Sequence, residues 1–411
     1  MDKTTNQLLY LLNYSMHGGT IEQVDLSDAD WKGIFELAGI HQIIPMIYDA
    51  LAKMHALSLL PEELVYSWQD MYLGFSINQL RRTMEFIKLY SRLLQAGIMA
   101  LVVKGLVCRQ LYPDAYYRSS CDEDVLIRGE DFEAADRLLI ASGLVRIEHR
   151  RMGTQYEITY KSPESGLYIE LHTSLFRPES KYFSRWNALF RNIFQAPLPL
   201  SIEGITVYTL SEEQHLLFLV LHAVKHFITN GLGIRQLCDI VMYCNSYGNR
   251  ISWEHLWQVM AELGYSVWLF NLLDIGAHYL GLREEMLQYP PDRAAREPHS
   301  RALLEDLMKA GVFGRAASGQ EKSGLVTMQS ILNARRITLW QAVFPCYEYM
   351  KGHYAYCEKH LFLLPAAWFH RLLVYAAAEK SPVKMFFKAR RIFIVGRKRI
   401  KLLDEYRILE T

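Results

Sequence analysis

The sequence predicts an α+β protein in which a small α/β core is flanked by N-terminal and C-terminal helical regions. Apolar residues recur at helical spacing before about residue 95 and again after residue 206. Between these regions, short apolar runs bounded by turn residues are typical of strands. We therefore divide the chain into three predicted domains, 1–96, 97–205 and 206–411.

The composition is that of a globular protein with a sizeable core. Of the 411 residues, 51% are hydrophobic and 22% are charged, and the formal net charge is +1. A charge this small argues against bulk attraction to nucleic acid or to a membrane. The composition therefore gives no strong nucleic-acid signal.

The cysteines and the apolar stretches predict a cytoplasmic protein. Six cysteines are scattered without a C-x-x-C pair, which favours free thiols in a reducing compartment. The first residues are polar, so we expect no secretory signal. The apolar stretch 361–378 is interrupted by Pro365, His370 and Arg371, so we expect no transmembrane segment.

The N-terminal region predicts helices. Asp28 and Asp30 precede an apolar face at helical spacing that starts at Trp31. A second long helical pattern covers 68–94, and Gly97 can end it.

The central region predicts strands and short helices in alternation. A strand over 98–103 leads into a short helix over 105–111, and a strand over 124–127 leads into a helix over 130–141. Three further strands are predicted at 144–149, 154–160 and 167–172. The loop 162–166 joins the last two as a hairpin.

The C-terminal region is predicted to be helical. The clearest helix covers 211–230, because Ser211 and Gln214 form a capping-box pattern and Asn230-Gly231 supplies a stop. Loops are predicted at 289–291 and 314–324.

Two aspartates at alternating positions indicate a metal site. Asp122 and Asp124 enter an apolar strand, where residues i and i+2 share a face and Glu123 points away. Two neighbouring carboxylates repel each other unless a cation lies between them, which favours Mg²⁺ or Mn²⁺. A lone D-x-D often only caps a strand end, so the neighbouring residues decide its meaning.

Those neighbours fit a phosphate ligand. Lys104 and Gly105 follow a strand and open a helix, where backbone N–H groups and the lysine can meet phosphate. Arg118 lies four residues before Asp122, within range of the same polyphosphate. Glu170, on a later strand, can add a third carboxylate, and Glu157 on the preceding strand is its rival.

The run from Val103 to Ile127, VKGLVCRQLYPDAYYRSSCDEDVLI, resembles the signature of nucleotidyltransferases related to DNA polymerase β. It is most similar to an uncharacterised bacterial family with the order K-G, L-Y-P, R, D-x-D and an apolar strand. The resemblance covers about residues 97–175. Two departures concern the phosphate contacts: Leu106 replaces a second small residue, and the gap from Gly105 to Asp122 is long.

The resemblance implies a small mixed sheet with a metal-dependent nucleotidyltransferase site. Asp122, Asp124 and Glu170 would be the catalytic metal ligands, and Gly105 the turn glycine beside the nucleotide. With Mg²⁺ or Mn²⁺ and an NTP, an acceptor hydroxyl would attack the α-phosphorus and pyrophosphate would leave.

Alternatives stay open at this point. The acceptor can be a small metabolite such as a sugar or antibiotic, a protein hydroxyl or an RNA end. The same site can also serve an ATP-dependent phosphotransferase, or the chain can be a catalytically inactive nucleotide-binding scaffold.

The helix 211–230 carries His215, His222 and His226 near one face. Polar contacts at a helix interface, hydrogen-bonded to Asp239, are favoured over a metal site, because no H-E-x-x-H pattern is present. The related family tends to show H-x-x-K-H here, which makes Lys225 and His226 candidate contacts to nucleotide or acceptor.

The tail from Lys384 to Thr411 has nine Lys or Arg residues against three acids, interleaved with aromatic and apolar residues. A terminal amphipathic helix with a solvated basic face is favoured, and weak contact with an anionic surface is the alternative. Cys108 and Cys121 lie near the proposed site and are interpreted as packing residues.

Overall fold

The computed structural model describes most of the chain as two compact units. The described residues are 2–19, 23–120, 122–147, 156–180, 182–290, 299–311, 360–379 and 382–408, with isolated positions between 327 and 357. The first unit comprises Met1–His222, Arg235–Trp257 and Leu273–Glu297, and the second Ala223–Ile234, Gln258–Leu272 and Pro298–Thr411. Cys121 and the predicted loop 314–324 lie outside the described residues. The three predicted domains stay a prediction.

In the described residues, helices precede the sheet, as the sequence predicts. They are α1 (Lys3–His17), α2 (Trp31–His41), α3 (Ile44–Lys53) and α4 (Glu62–Gln95). Helix α2 begins at Trp31 because the Asp30 carboxylate accepts from the Gly33 N–H, 3.0 Å away. Helix α4 starts six residues before its predicted start at 68.

A mixed sheet of seven strands forms the core of the first unit. Its strands are β1 (Leu101–Val103), β2 (Asp122–Leu126), β3 (Val145–Ile147), β4 (Glu157–Lys161), β5 (Tyr168–His172), β6 (Leu198–Ile202) and β7 (Ile205–Thr209). The strand order is β3-β4-β5-β2-β1-β7-β6. The α+β class and the mixed sheet are confirmed. Strands β6 and β7 were not predicted from the sequence.

The strand pairing brings the acidic segments side by side. Strand β2 pairs parallel with β5, and Asp124 lies opposite Glu170. On its other edge β2 pairs antiparallel with β1, and Asp124 lies opposite Val103. Strand β2 therefore joins the segment before Lys104 to the segment that carries Glu170.

One face of the sheet is buried under α4 and α6 (Phe132–Ala141). Val102, Val125 and Ile169 point into this core together with α4 and α6 side chains such as Tyr90 and Leu139. Tyr90 also donates from its hydroxyl to the Ala100 carbonyl, 2.8 Å away. Because strand residues alternate between faces, the acids that flank these positions face the other side of the sheet.

Among the described residues, further helices lie within and after the sheet segments. They are α5 (Gly105–Arg109), which lies between β1 and β2, then α7 (Glu212–Thr229), α8 (Ile234–Tyr247), α9 (Trp253–Glu262), α10 (Ser266–Tyr279), α11 (Ser300–Ala310), α12 (Leu364–Glu379) and α13 (Pro382–Glu405). Helix α7 confirms the clearest helix prediction. In the described part of the chain, no helix is both long and apolar enough to cross a bilayer.

The basic tail forms α13 within the second unit, as the amphipathic interpretation expects. Arg399 is buried and donates to the carbonyls of Phe227 and Thr229 near the end of α7. A cation at the last carbonyls of a helix is favourable, because those carbonyls carry partial negative charge. Arg390, Arg397, Lys398 and Lys401 are exposed. Contact of this basic face with an anionic surface stays a prediction.

Candidate active site

Strand β2 presents its two aspartates on one side and its glutamate on the other. The Glu123 carboxylate lies on the α5 side, where it accepts from the Leu106 N–H at 2.8 Å and pairs with Arg109 at 2.7 Å. Asp122 and Asp124 therefore share the opposite face. Asp124 is buried, whereas Asp122 at the start of the strand is partly exposed.

Strand β5 adds two side chains to the same face. Glu170 lies opposite Asp124, and His172 follows two residues later. The His172 Nε2 lies 3.2 Å from Asp124 Oδ1 and 3.7 Å from Glu170 Oε2. Glu157 on β4 lies near the other ring nitrogen, with its Oε2 3.8 Å from His172 Nδ1.

The protonation of this cluster reflects crowded carboxylates. Burial and the charges of Asp124 and Asp122 raise the pKa of Glu170 to about 8. Burial acts to raise the pKa of Asp124, but Lys104 and His172 outweigh it and hold that pKa well below its usual value. Burial opposes protonation of His172, yet its contact with Asp124 raises its pKa above the usual value. The carboxylates of this face therefore repel one another, and Lys104 and His172 offset the charge of Asp124.

Lys104 supplies the nearest protein cation. Its Nζ lies 2.9 Å from Asp124 Oδ2 and 3.1 Å from His222 Nε2. Burial acts against its charge, but Asp124, Asp122 and Glu170 together raise the pKa of Lys104. The lysine is therefore a fixed positive charge at the edge of the acidic face.

Gly105 has a structural reason to be glycine. A Cβ at this position would lie 2.4 Å from Glu123 Oε2. The Glu123 carboxylate also accepts from the backbone N–H of Leu106, in the first turn of α5. Because a protein carboxylate already bonds that N–H, phosphate contact at this turn stays a prediction for Gly105.

Arg118 lies in a buried ion pair. Its Nε donates to Asp239 Oδ1 at 3.0 Å, its Nη2 contacts Oδ2, and Tyr112 donates to the same carboxylate at 2.9 Å. The arginine is 6% exposed. This pair anchors the segment before β2 to α8, and the contact with polyphosphate predicted for Arg118 stays a prediction.

The histidines of α7 have different surroundings from those expected. His215 hydrogen-bonds Lys104 and Thr209, and His222 contacts the Lys104 ammonium. Asp239, the partner expected for these histidines, is bonded by Arg118 and Tyr112. Lys225 and His226 fall in the second unit, so their role as contacts to nucleotide or acceptor stays a prediction.

His172 is the site residue to which the sequence analysis gave no role. The signal was available, because His172 follows Glu170 by two positions on a predicted strand and must share its face. The partnership of Arg118 with Asp239 was not available, because 121 positions separate the two residues.

The residues on this face fit a divalent metal. Asp124, Glu170 and His172 each offer a ligand atom, and these atoms all lie within 4.8 Å of one another. Carboxylate oxygens suit both Mg²⁺ and Mn²⁺. An imidazole nitrogen is a ligand of transition-metal ions, a class that includes Mn²⁺ but not Mg²⁺. A bound cation would relieve the repulsion from Asp124 and Asp122 that raises the pKa of Glu170. Asp122 is outside this group of three, so its role as a ligand stays a prediction.

A mixed sheet with carboxylates on adjoining strands, beside a lysine at a strand-to-helix corner, is the arrangement that a nucleotidyltransferase core predicts. The uncharacterised nucleotidyltransferase family matches residues 27–281, more than half of the 411 residues. The chain belongs to this family, and the resemblance drawn from Val103–Ile127 is confirmed. Comparisons with curated proteins and with solved structures gave no match.

Proposed function

We propose that this chain transfers a nucleoside monophosphate from an NTP to a hydroxyl acceptor, with Mg²⁺ or Mn²⁺ held on the acidic face. The observation that carries the proposal is the convergence of Asp124, Glu170 and His172, with ligand atoms within 4.8 Å. Family membership supports the transfer class, and the cluster supports the metal.

Each residue has a proposed part in that reaction. Asp122, Asp124 and Glu170 hold the metal, which when bound neutralises charge on the triphosphate. Lys104 binds phosphate oxygens through its ammonium. The acceptor oxygen bonds to the α-phosphorus, the bond from that phosphorus to the bridging oxygen breaks, and pyrophosphate leaves. Glu170 takes the acceptor proton, and Glu157 on β4 is its rival as the third acid of the cluster.

Binding of nucleotide tests the proposal without knowledge of the acceptor. We expect calorimetry to show NTP binding with Mg²⁺ and little binding with EDTA. Asp124→Asn and Glu170→Gln should each weaken binding roughly tenfold or more, since each removes a charged ligand. Glu130→Gln, an exposed control in the same unit, should bind like the wild type. Equal binding with Mg²⁺ and with EDTA would contradict the proposal.

Product analysis separates nucleotidyl from phosphoryl transfer. With Mg²⁺, ATP and a small-molecule extract as acceptor source, nucleotidyl transfer releases pyrophosphate, whereas phosphoryl transfer releases ADP. We expect pyrophosphate. Glu157→Gln should keep the reaction if Glu170 is the base, and Glu170→Gln should abolish it.

One observation favours a second candidate, a nucleotide-binding scaffold without catalysis. The Lys104 ammonium, 2.9 Å from Asp124 Oδ2, already provides a cation to that carboxylate. Metal-independent NTP binding without any released product would support the scaffold.

A further inference from the structure

The corner between β1 and α5 has an unusual backbone. Lys104 has φ 56° and ψ −118°, a combination that favours glycine, as at the first central residue of a type II′ turn. A non-glycine residue held there is strained, and it persists only where its surroundings fix it. The sharp corner presents the lysine side chain to the acidic face, so what fixes the corner also places the ammonium.

A chain of hydrogen bonds holds this corner. The Lys104 N–H donates to His215 Nε2 at 3.2 Å, and His215 Nδ1 lies 3.2 Å from Thr209 Oγ1. The Thr209 hydroxyl donates to the Val102 carbonyl at 2.6 Å. Since that hydroxyl proton is used, Thr209 Oγ1 accepts from His215 Nδ1–H, which leaves Nε2 as the acceptor for Lys104.

His215 is well suited to this task. It is fully buried, and burial lowers its pKa to about 3, so the imidazole is neutral and Nε2 keeps its lone pair. Two turns further along α7, His222 contacts the ammonium of the same lysine at 3.1 Å. Helix α7 therefore contacts Lys104 at both its backbone and its side-chain end.

We propose that His215 is a positioning residue: it fixes the strained corner at Lys104 and thereby places the ammonium where nucleotide phosphate binds. The placement of the ammonium at nucleotide phosphate rests on the proposed function. The role of His215 in fixing the corner concerns the folded chain alone and is tested separately.

Amide exchange in the full-length protein tests whether His215 fixes the corner at Lys104. We expect the Lys104 amide to be protected in the wild type and to exchange at least roughly tenfold faster in His215→Leu, which loses the acceptor. His215→Gln keeps an acceptor and should restore most of the protection. His41→Leu, which removes an equally buried histidine on α2, is the matched control and should leave the Lys104 amide unchanged.

Thr209→Val covers the case in which His215→Leu does not fold. It removes the acceptor that orients the imidazole, and should also accelerate exchange at Lys104. Unchanged exchange in His215→Leu, or in Thr209→Val if the former is unfolded, would overturn the proposal.

Nucleotide affinity tests whether His215 places the Lys104 ammonium where phosphate binds. His215→Leu should bind Mg²⁺–NTP roughly tenfold more weakly, and His215→Gln should stay close to the wild type. Lys104→Met combined with His215→Leu should bind no more weakly than Lys104→Met alone, because His215 acts through Lys104. Fully additive losses would overturn the proposal. If the wild type binds no NTP, the proposed function fails, while the exchange data still decide whether His215 fixes the corner.

Discussion

The Lys104 side chain, which contacts Asp124, acts in opposite ways on the two proposed ligands, a divalent metal and a nucleotide. The ammonium repels a divalent cation next to Asp124, whereas it attracts the phosphates of a nucleotide. The separation of 2.9 Å between the Lys104 and Asp124 side chains makes both effects large.

Replacing this lysine should therefore move two affinities in opposite directions. In Lys104→Met we expect Mg²⁺ alone to bind a few fold to roughly tenfold more tightly, and NTP at saturating Mg²⁺ to bind roughly tenfold or more weakly. Calorimetry on the same sample measures both. Lys161→Met, an exposed lysine of β4, is the control. Weaker binding of both ligands would show that Lys104 only supports the fold.

The pair Arg109–Glu123 behind the site is a structural feature. Its side chains are 1% and 2% exposed, and the two charges lie 2.7 Å apart. Arg109→Leu should lower the free energy of unfolding by about 3–5 kcal/mol, because it leaves a buried carboxylate without its partner. Urea unfolding measures the loss. Arg137→Leu removes an exposed pair with Glu133 and should cost under about 1 kcal/mol. Equal costs would contradict the assignment.

His215 should make stability depend on pH. Its pKa is about 3 in the folded chain, against about 6.5 when unfolded, so the unfolded state binds the extra proton. The stabilisation is complete above pH 6.5 and is lost as pH falls toward 3. The ring is surrounded by Lys104, Asp239, Thr209 and Tyr243. These residues are unchanged in a His215→Gln variant, so a comparison of that variant with the wild type isolates the effect of the histidine.

We expect the wild type to lose about 2 kcal/mol more than His215→Gln between pH 7 and pH 5. Urea unfolding at the two pH values measures this difference. Parallel pH dependence in the two proteins would show that the pKa of His215 does not differ between the folded and unfolded states.

At the scale of elements, the corner formed by β1, Gly105 and α5 packs against β2. A Cβ at Gly105 meets the Glu123 carboxylate at 2.4 Å, whereas a Cβ at Gly129 meets no atom within 4 Å. Gly105→Ala should therefore lower the unfolding free energy by about 1–3 kcal/mol, and Gly129→Ala should be nearly neutral. Thermal unfolding of both variants measures the two changes in stability. A neutral Gly105→Ala would mean that the corner can shift.

Local sequence patterns predicted the strands that carry the site, but they did not predict pairings between residues that are far apart in the sequence. Strands β2 and β5 were readable because apolar runs and alternating acids reveal both the strand and its faces. Strands β6 and β7 were missed because their two-residue turn, Glu203–Gly204, has a glutamate at a positive φ where asparagine or aspartate is typical. Only the parallel pairing of β7 with β1 explains their place in the sheet, and no local pattern reports it.

At the scale of the whole molecule, the family match and the acidic face coincide. Residues 27–281 contain β1 to β7 and helices α7 and α8. The second unit adds α11 to α13 beyond the matched range. The predicted roles of Lys225 and His226 rest on the H-x-x-K-H pattern of the related family, and no sequence pattern in this chain specifies the acceptor.

We expect the face that carries Asp124, Glu170 and His172 to bind a divalent metal. Titration with Mn²⁺ tests this expectation, because bound Mn²⁺ is lost from the free-ion signal in electron paramagnetic resonance. We predict saturable binding in the wild type, at least roughly tenfold weaker binding in Glu170→Gln, and near-normal binding in Glu157→Gln. Binding that is unchanged in Glu170→Gln and in Asp124→Asn, or absent from the folded wild type, would contradict the account.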